Sequence, residues 1–195
     1  MPVPPLPPAS TVKSKGFTVK GALAYVDATY GPAGHDRLIA ALPHATRVTA
    51  ERTILSSEWL PFQTQVDFYE TIDKVFGKGD FALCRDIGRY TSESELSTIN
   101  RIFLKLGQIE LWMRCAGMMW KQYYSAGQLD VEDFAKGRGT IVIRNFHPIS
   151  RAFCNDLSGW LERTLELSGE TGVVVKHPEC VLKGDDACYH RGTWG

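Results

Sequence analysis

A chain of 195 residues, 44% apolar and 23% charged, holds one domain with enough side chains to bury a real core. Its 22 basic and 22 acidic residues cancel, which argues against charge-driven binding to nucleic acid or to an anionic membrane. No apolar run reaches the roughly 20 residues that span a bilayer, so no membrane span is expected.

Pro2, Pro4, Pro5, Pro7 and Pro8 favour an extended polyproline conformation without a core. Residues 1–15 are therefore read as a proline-rich disordered tail, and residues 16–195 as a single domain. The tail lacks the basic and apolar regions of a secretory signal. The five cysteines are accordingly read as reduced thiols or metal ligands of a cytoplasmic protein.

Beyond Gly16, the largely β-prone residues Phe17, Val19, Ala22, Leu23, Tyr25 and Val26 lead to the breaker Tyr30-Gly31-Pro32, which predicts a first strand. Asp36 to Leu42 reads as a short helix stopped by Pro43. Ser57 caps the next predicted helix. There Phe62, Val66, Tyr69, Ile72, Val75 and Phe76 recur mostly at steps of three and four until Gly77 and Gly79 end it. Asp80 to Arg89 reads as another helix. Ile99 to Tyr124 is so apolar that it must be buried or line a cavity.

After Gly127 the period shortens. Gln128 to Phe134 and Gly139 to Phe146 read as strands joined by Lys136-Gly137-Arg138. Pro148 opens a helix carrying Ile149, Phe153, Leu157, Trp160, Leu161 and Leu165 that ends near Gly169. Gly172 to Lys176 is a strand, and Cys180 to Lys183 with Ala187 to Trp194 forms a last hairpin turning at Gly184-Asp185-Asp186. Helices first, then hairpin, helix and hairpin, make an α+β domain: an N-terminal helical block packed on an antiparallel sheet.

Chemistry concentrates near the C-terminus. Cys180 and Cys188 bracket the last turn, His177 precedes Cys180 by three residues, and Cys154 lies on the helix before. Soft thiolates with one imidazole suit tetrahedral zinc, and four protein ligands close the site, so the expected role is a structural brace. Glu179 and His190 rival His177 as the fourth ligand. The competing reading makes Cys154 a small buried hydrophobe and the other two free thiols. No Gly-x-Ser-x-Gly elbow, P-loop or dinucleotide fingerprint is present. His147 beside Pro148 offers a base but reads more simply as a helix-cap or surface histidine. His35 and His44 have no partner by spacing, and Cys84 and Cys115 sit on apolar helical faces. The chain is not expected to be an enzyme.

The segments Phe153-Cys154, His177-Pro178-Glu179-Cys180 and Gly184-Asp185-Asp186-Ala187-Cys188-Tyr189 resemble the close of 4-vinyl reductase-like domains. The whole layout also resembles uncharacterised members of that family from myxobacteria. In the phenol-sensing activators of the family such a tail holds zinc. The resemblance implies ligands at Cys154, Cys180 and Cys188, with His177 where the family usually carries Glu. It further implies a non-catalytic, zinc-containing sensor of an apolar or aromatic small molecule, acting through protein association as a homodimer. Trp112, Met119, Trp120, Tyr123 and Phe146 are the candidate ligand lining, and plain core packing is the other reading of that block. The alternative role is a ligand-free adaptor or scaffold that dimerises and binds a signalling partner.

Overall fold

The computed structural model describes residues 11–95 and 109–195. The proline-rich run at residues 1–10 and the first part of the apolar 99–124 block lie outside the described residues.

Strand β1 (Lys13–Lys15) runs into helix α1 (Gly16–Ala41), so the first strand expected at Phe17–Val26 is instead helical. The reason is burial. Val19, Ala22 and Val26, each 0% exposed, recur at the three-to-four spacing of one helix face, and tertiary burial overrides local β propensity. Gly31, at φ 66 and ψ −169, leaves the helical region, so α1 is two helical stretches broken at Gly31-Pro32, where the sequence placed a breaker. The short helix expected at Asp36–Leu42 is therefore its last part.

Helix α2 (His44–Ala50) follows. The helix start expected at Ser57 falls later, because Trp59–Pro61 forms β2 and pairs antiparallel with β1, Ser14 opposite Leu60. Helix α3 (Phe62–Phe76) then begins directly after Pro61 and stops at Gly77. Helix α4 (Ala82–Glu95) and helix α5 (Ile109–Tyr123) complete the helical part.

The rest is hairpin, helix, hairpin. Strands β3 (Gln128–Ala135) and β4 (Arg138–Arg144) pair across a turn at Gly137, φ 79. Helix α6 (Arg151–Leu167) is capped by Ser150, whose hydroxyl accepts from the Ala152 amide at 3.1 Å. It therefore opens three residues later than Pro148 suggested. Strands β5 (Val174–Glu179) and β6 (Cys188–Thr193) finish the chain. The segment after Cys180 is a short 3-10 turn, Val181–Lys183, and not a strand. The sheet order is β3-β4-β6-β5 with every neighbour antiparallel. The α+β architecture expected from the sequence is thus present.

Two apolar clusters form the interior. One joins α1, α2, α3 and α4 around Phe68, Leu38 and Ile72. The other joins α3, α5, α6 and the sheet around Phe62, Trp120, Phe146 and Phe153. Helices α4 and α6 meet at backbone distance. A methyl group on Gly88 would lie 1.9 Å from the Asp156 carbonyl oxygen, and one on Gly159 would lie 2.0 Å from that of Arg85. Among the described residues no helix is long and apolar enough to cross a membrane.

Candidate metal centre and interior cavity

Cys154 enters the interior from the first turn of α6, and Cys188 from the start of β6. The loop between β5 and β6 wraps around Cys180. Its carbonyl accepts from the amides of Lys183 at 2.7 Å and Asp185 at 3.3 Å, and its own amide donates to the Asp185 carboxylate at 2.6 Å. Gly184, at φ 95, allows this tight return, which a side chain would strain. Asp185 is thus a turn-forming residue.

This packing brings one ligand atom from each of Cys154, His177, Cys180 and Cys188 within 4.8 Å of the others. The sulfurs of Cys180 and Cys188 are 3.4 Å apart, and all three cysteines are at most 2% exposed. A hydrogen bond with Cys154 holds the thiols of Cys180 and Cys188 below the usual cysteine range, while those bonds and burial push Cys154 up. His177 leaves its buried Nε2 without a hydrogen-bond partner.

The rival fourth ligands lie outside this cluster. Glu179 pairs with Arg191 at 2.6 Å on the surface, and His190 Nδ1 meets the Ser158 hydroxyl at 2.9 Å.

A separate cavity of about 70 Å³ lies between α1, α5 and α6. Met119, Trp120 and Tyr123 line it, whereas Phe146 packs behind Trp120 with ring centroids 5.1 Å apart. The side chain of Trp112 lies outside the described residues. Asp156 also borders the cavity; it is buried, and burial pushes its carboxyl up to about 8. Tyr69 and Tyr124, two more wall residues, accept from the amide of buried Gln65 at 3.0 and 3.3 Å. Sequence reasoning missed Asp156, although its place three residues after Phe153 and four before Trp160 puts a carboxyl on the apolar face of α6.

No family model matches the chain, and no curated protein matches it. Solved structures do. A mutant H-NOX protein from K. algicida in the Fe(II) unliganded state aligns with TM-score 0.68 and 13% identity, covering 93% of this chain and 96% of that one. An H-NOX protein from S. oneidensis in the Fe(II)NO ligation state gives TM-score 0.65 and 13% identity, covering 93% and 99%. A structure concerned with heme distortion in the H-NOX family gives 0.59 and 16%, covering 92% and 94%. The chain has the H-NOX fold.

These likenesses correct several expectations. The 4-vinyl reductase-like resemblance is overturned: it rested on a short C-terminal hairpin motif, whereas H-NOX structures match nearly the whole chain. Zinc as the structural cofactor is not supported, since the fold's relatives point to iron and haem, and buried cysteines can cluster by packing alone. The roles built on it, a zinc-containing sensor of apolar or aromatic molecules or a ligand-free scaffold, fall with that resemblance.

Haem in turn meets a misfit. None of the chain's five histidines, all among the described residues, borders the cavity, and its volume is far below the roughly 300 Å³ at the small end of ligand pockets.

Proposed function

We propose that this chain is a non-enzymatic sensor module that responds to a diatomic gas and passes the change on by protein association. The observation that carries this reading is the end-to-end correspondence, in both directions, with H-NOX structures, one of them holding NO on Fe(II). Two features support it. The interior cavity is mostly apolar and, at about 70 Å³, large enough only for a very small molecule; dry apolar cavities take up apolar gases such as xenon. The Ser158–His190 pair, the one serine–histidine contact among the described hydrogen bonds, has both residues only 1% exposed. A substrate therefore cannot reach this pair, and it is read as a packing contact in a non-enzymatic module.

The test is anaerobic exposure of the purified chain to NO, followed by hydrogen exchange and sedimentation. Changed protection along α5 and α6, or a change between monomer and homodimer, is the expected result. Identical exchange in every segment with and without NO defeats the reading. The output partner is a second copy of this chain or a separate signalling protein, and sedimentation of the chain alone distinguishes the two.

Cys154, His177, Cys180 and Cys188 are proposed as a single site for a soft metal ion tying α6 to the β5–β6 hairpin. The support is the convergence of three sulfurs and an unpartnered imidazole nitrogen, the donor set such ions prefer. Anaerobic titration with Co2+ should give thiolate-to-cobalt charge-transfer absorption at one equivalent per chain, lost in Cys188→Ser. Equal absorption in that variant removes the assignment.

A further inference from the structure

We infer that this chain keeps the H-NOX frame without binding haem, its interior being filled by its own aromatic rings. The inference stands on the fold and on the chain's own residues, and it does not need the gas-sensing reading to hold.

The first argument is the supply of iron ligands. Haem iron is held in proteins chiefly by histidine, and otherwise by a cysteine thiolate, methionine or tyrosine. His35 bonds to Asp27 at 2.7 Å on the surface, and His44 is exposed at the start of α2. His147 lies between β4 and α6, while His177 and His190 stack against each other beside the sulfur cluster. No imidazole therefore faces the cavity. Cys84 is fully buried, its thiol donating to the Tyr69 carbonyl at 3.6 Å, and Cys115, half-buried on α5, does not line the cavity. Cys154, Cys180 and Cys188 crowd one another too closely to present a sulfur to a flat macrocycle. Residues 96–108, outside the described residues, contain no histidine, cysteine, methionine or tyrosine, so they add no such ligand.

The second argument is room. Trp120, Tyr124, Phe146, Phe153 and Phe62 form one continuous set of ring contacts, with centroid separations from 4.3 Å to 6.3 Å. They occupy the space between α3, α5, α6 and the sheet, and the apolar cavity beside Trp120 and Tyr124 measures about 70 Å³. A tyrosine- or methionine-held haem would need this set to be expelled, although Met119, Tyr123 and Tyr124 stand at the cavity wall.

The third argument is that parting α4 and α6 to make space would break a close seam. Gly88 and Gly159 put their backbones in contact. Across the same seam Arg89 binds Glu166 at 2.9 Å, Arg163 binds Glu93 at 2.7 Å, and Ser92 meets Thr164 at 2.9 Å.

The test is equimolar hemin added to the purified wild-type chain, reduced and then exposed to CO. The expected result is no sharp Soret band and no CO-dependent shift; a broad band indifferent to CO is surface adsorption and agrees with the inference. One haem per chain with a band that moves under CO overturns it. Melting with and without hemin is the second measurement: an unchanged midpoint is expected, and a rise, which specific binding to the folded state produces, overturns it. Haem uptake would leave the gas-sensing proposal standing, whereas a haem-free chain indifferent to NO would remove that proposal and leave this inference intact.

Discussion

The rings of His177 and His190 stack 4.3 Å apart and 3° from parallel, yet they serve different neighbours. His177 turns toward the cysteine sulfurs, while His190 bonds Ser158 on α6. Burial, and then the neighbouring His177, hold His190 well below the ordinary histidine value of 6.5. The unfolded chain binds a proton there at a higher pH than the folded one. Stability should therefore fall as pH drops below about 6.5. Urea unfolding of wild type and His190→Gln across pH 5 to 8 checks this; the variant should show the shallower acid loss.

Asp156 has the opposite sign. Its carboxyl is raised from 3.8 to about 8 by burial, so the folded state binds the proton more tightly than the unfolded one. Its contribution is complete below the unfolded value and is lost as pH rises through about 8. Asp156→Asn should stabilise the chain at pH 7 by on the order of 4 kcal/mol, at 1.36 kcal/mol per pKa unit. It should also flatten the profile between pH 4 and 8. A variant less stable than wild type at pH 7 would mean that the carboxyl is ionised in the fold.

Gly88 and Gly159 face each other's helix backbone across the α4–α6 seam. Gly88→Ala and Gly159→Ala should each cost about 1–3 kcal/mol or more from overpacking, despite alanine's better helix propensity. The double variant should fall short of the sum, because one separation of the helices relieves both clashes. Denaturant midpoints of the three variants decide it.

Trp120 is 4% exposed and donates its indole N–H to the Ala126 carbonyl at 2.9 Å. Trp120→Ala should destabilise by about 3–5 kcal/mol and enlarge the cavity. A loss below about 1 kcal/mol in thermal or urea unfolding would contradict the ring packing described here.

Much of the plan was written locally in the chain. The turn at Lys136-Gly137-Arg138 needs only a glycine free to adopt positive φ between two β-rich runs, and β3 and β4 flank it as expected. Gly77 ends α3 where the apolar period stops. Residues of α1 such as Phe17, Val19 and Tyr25 were misread as a strand because their β propensity is a local quantity. The helix is chosen by α3 and α4, which bury one face of it.

The site divides in the same way. Soft-ligand residue types near the C-terminus were visible in the sequence, and their nearness along the chain singled out Cys180 and Cys188. That His177 and not Glu179 or His190 meets the sulfurs depends on the β5–β6 register and on the Arg191 and Ser158 contacts. Those contacts join elements far apart in sequence. The burial that pushes the Asp156 carboxyl up is supplied by the tertiary packing around α6. The H-NOX likeness, at 13% identity, resides in the arrangement of helices around the sheet and leaves little trace residue by residue. By itself the sequence determined which segments fold and which side chains carry reactive atoms. Only the tertiary structure decided what those atoms face, because burial and proximity are properties of distant segments brought together.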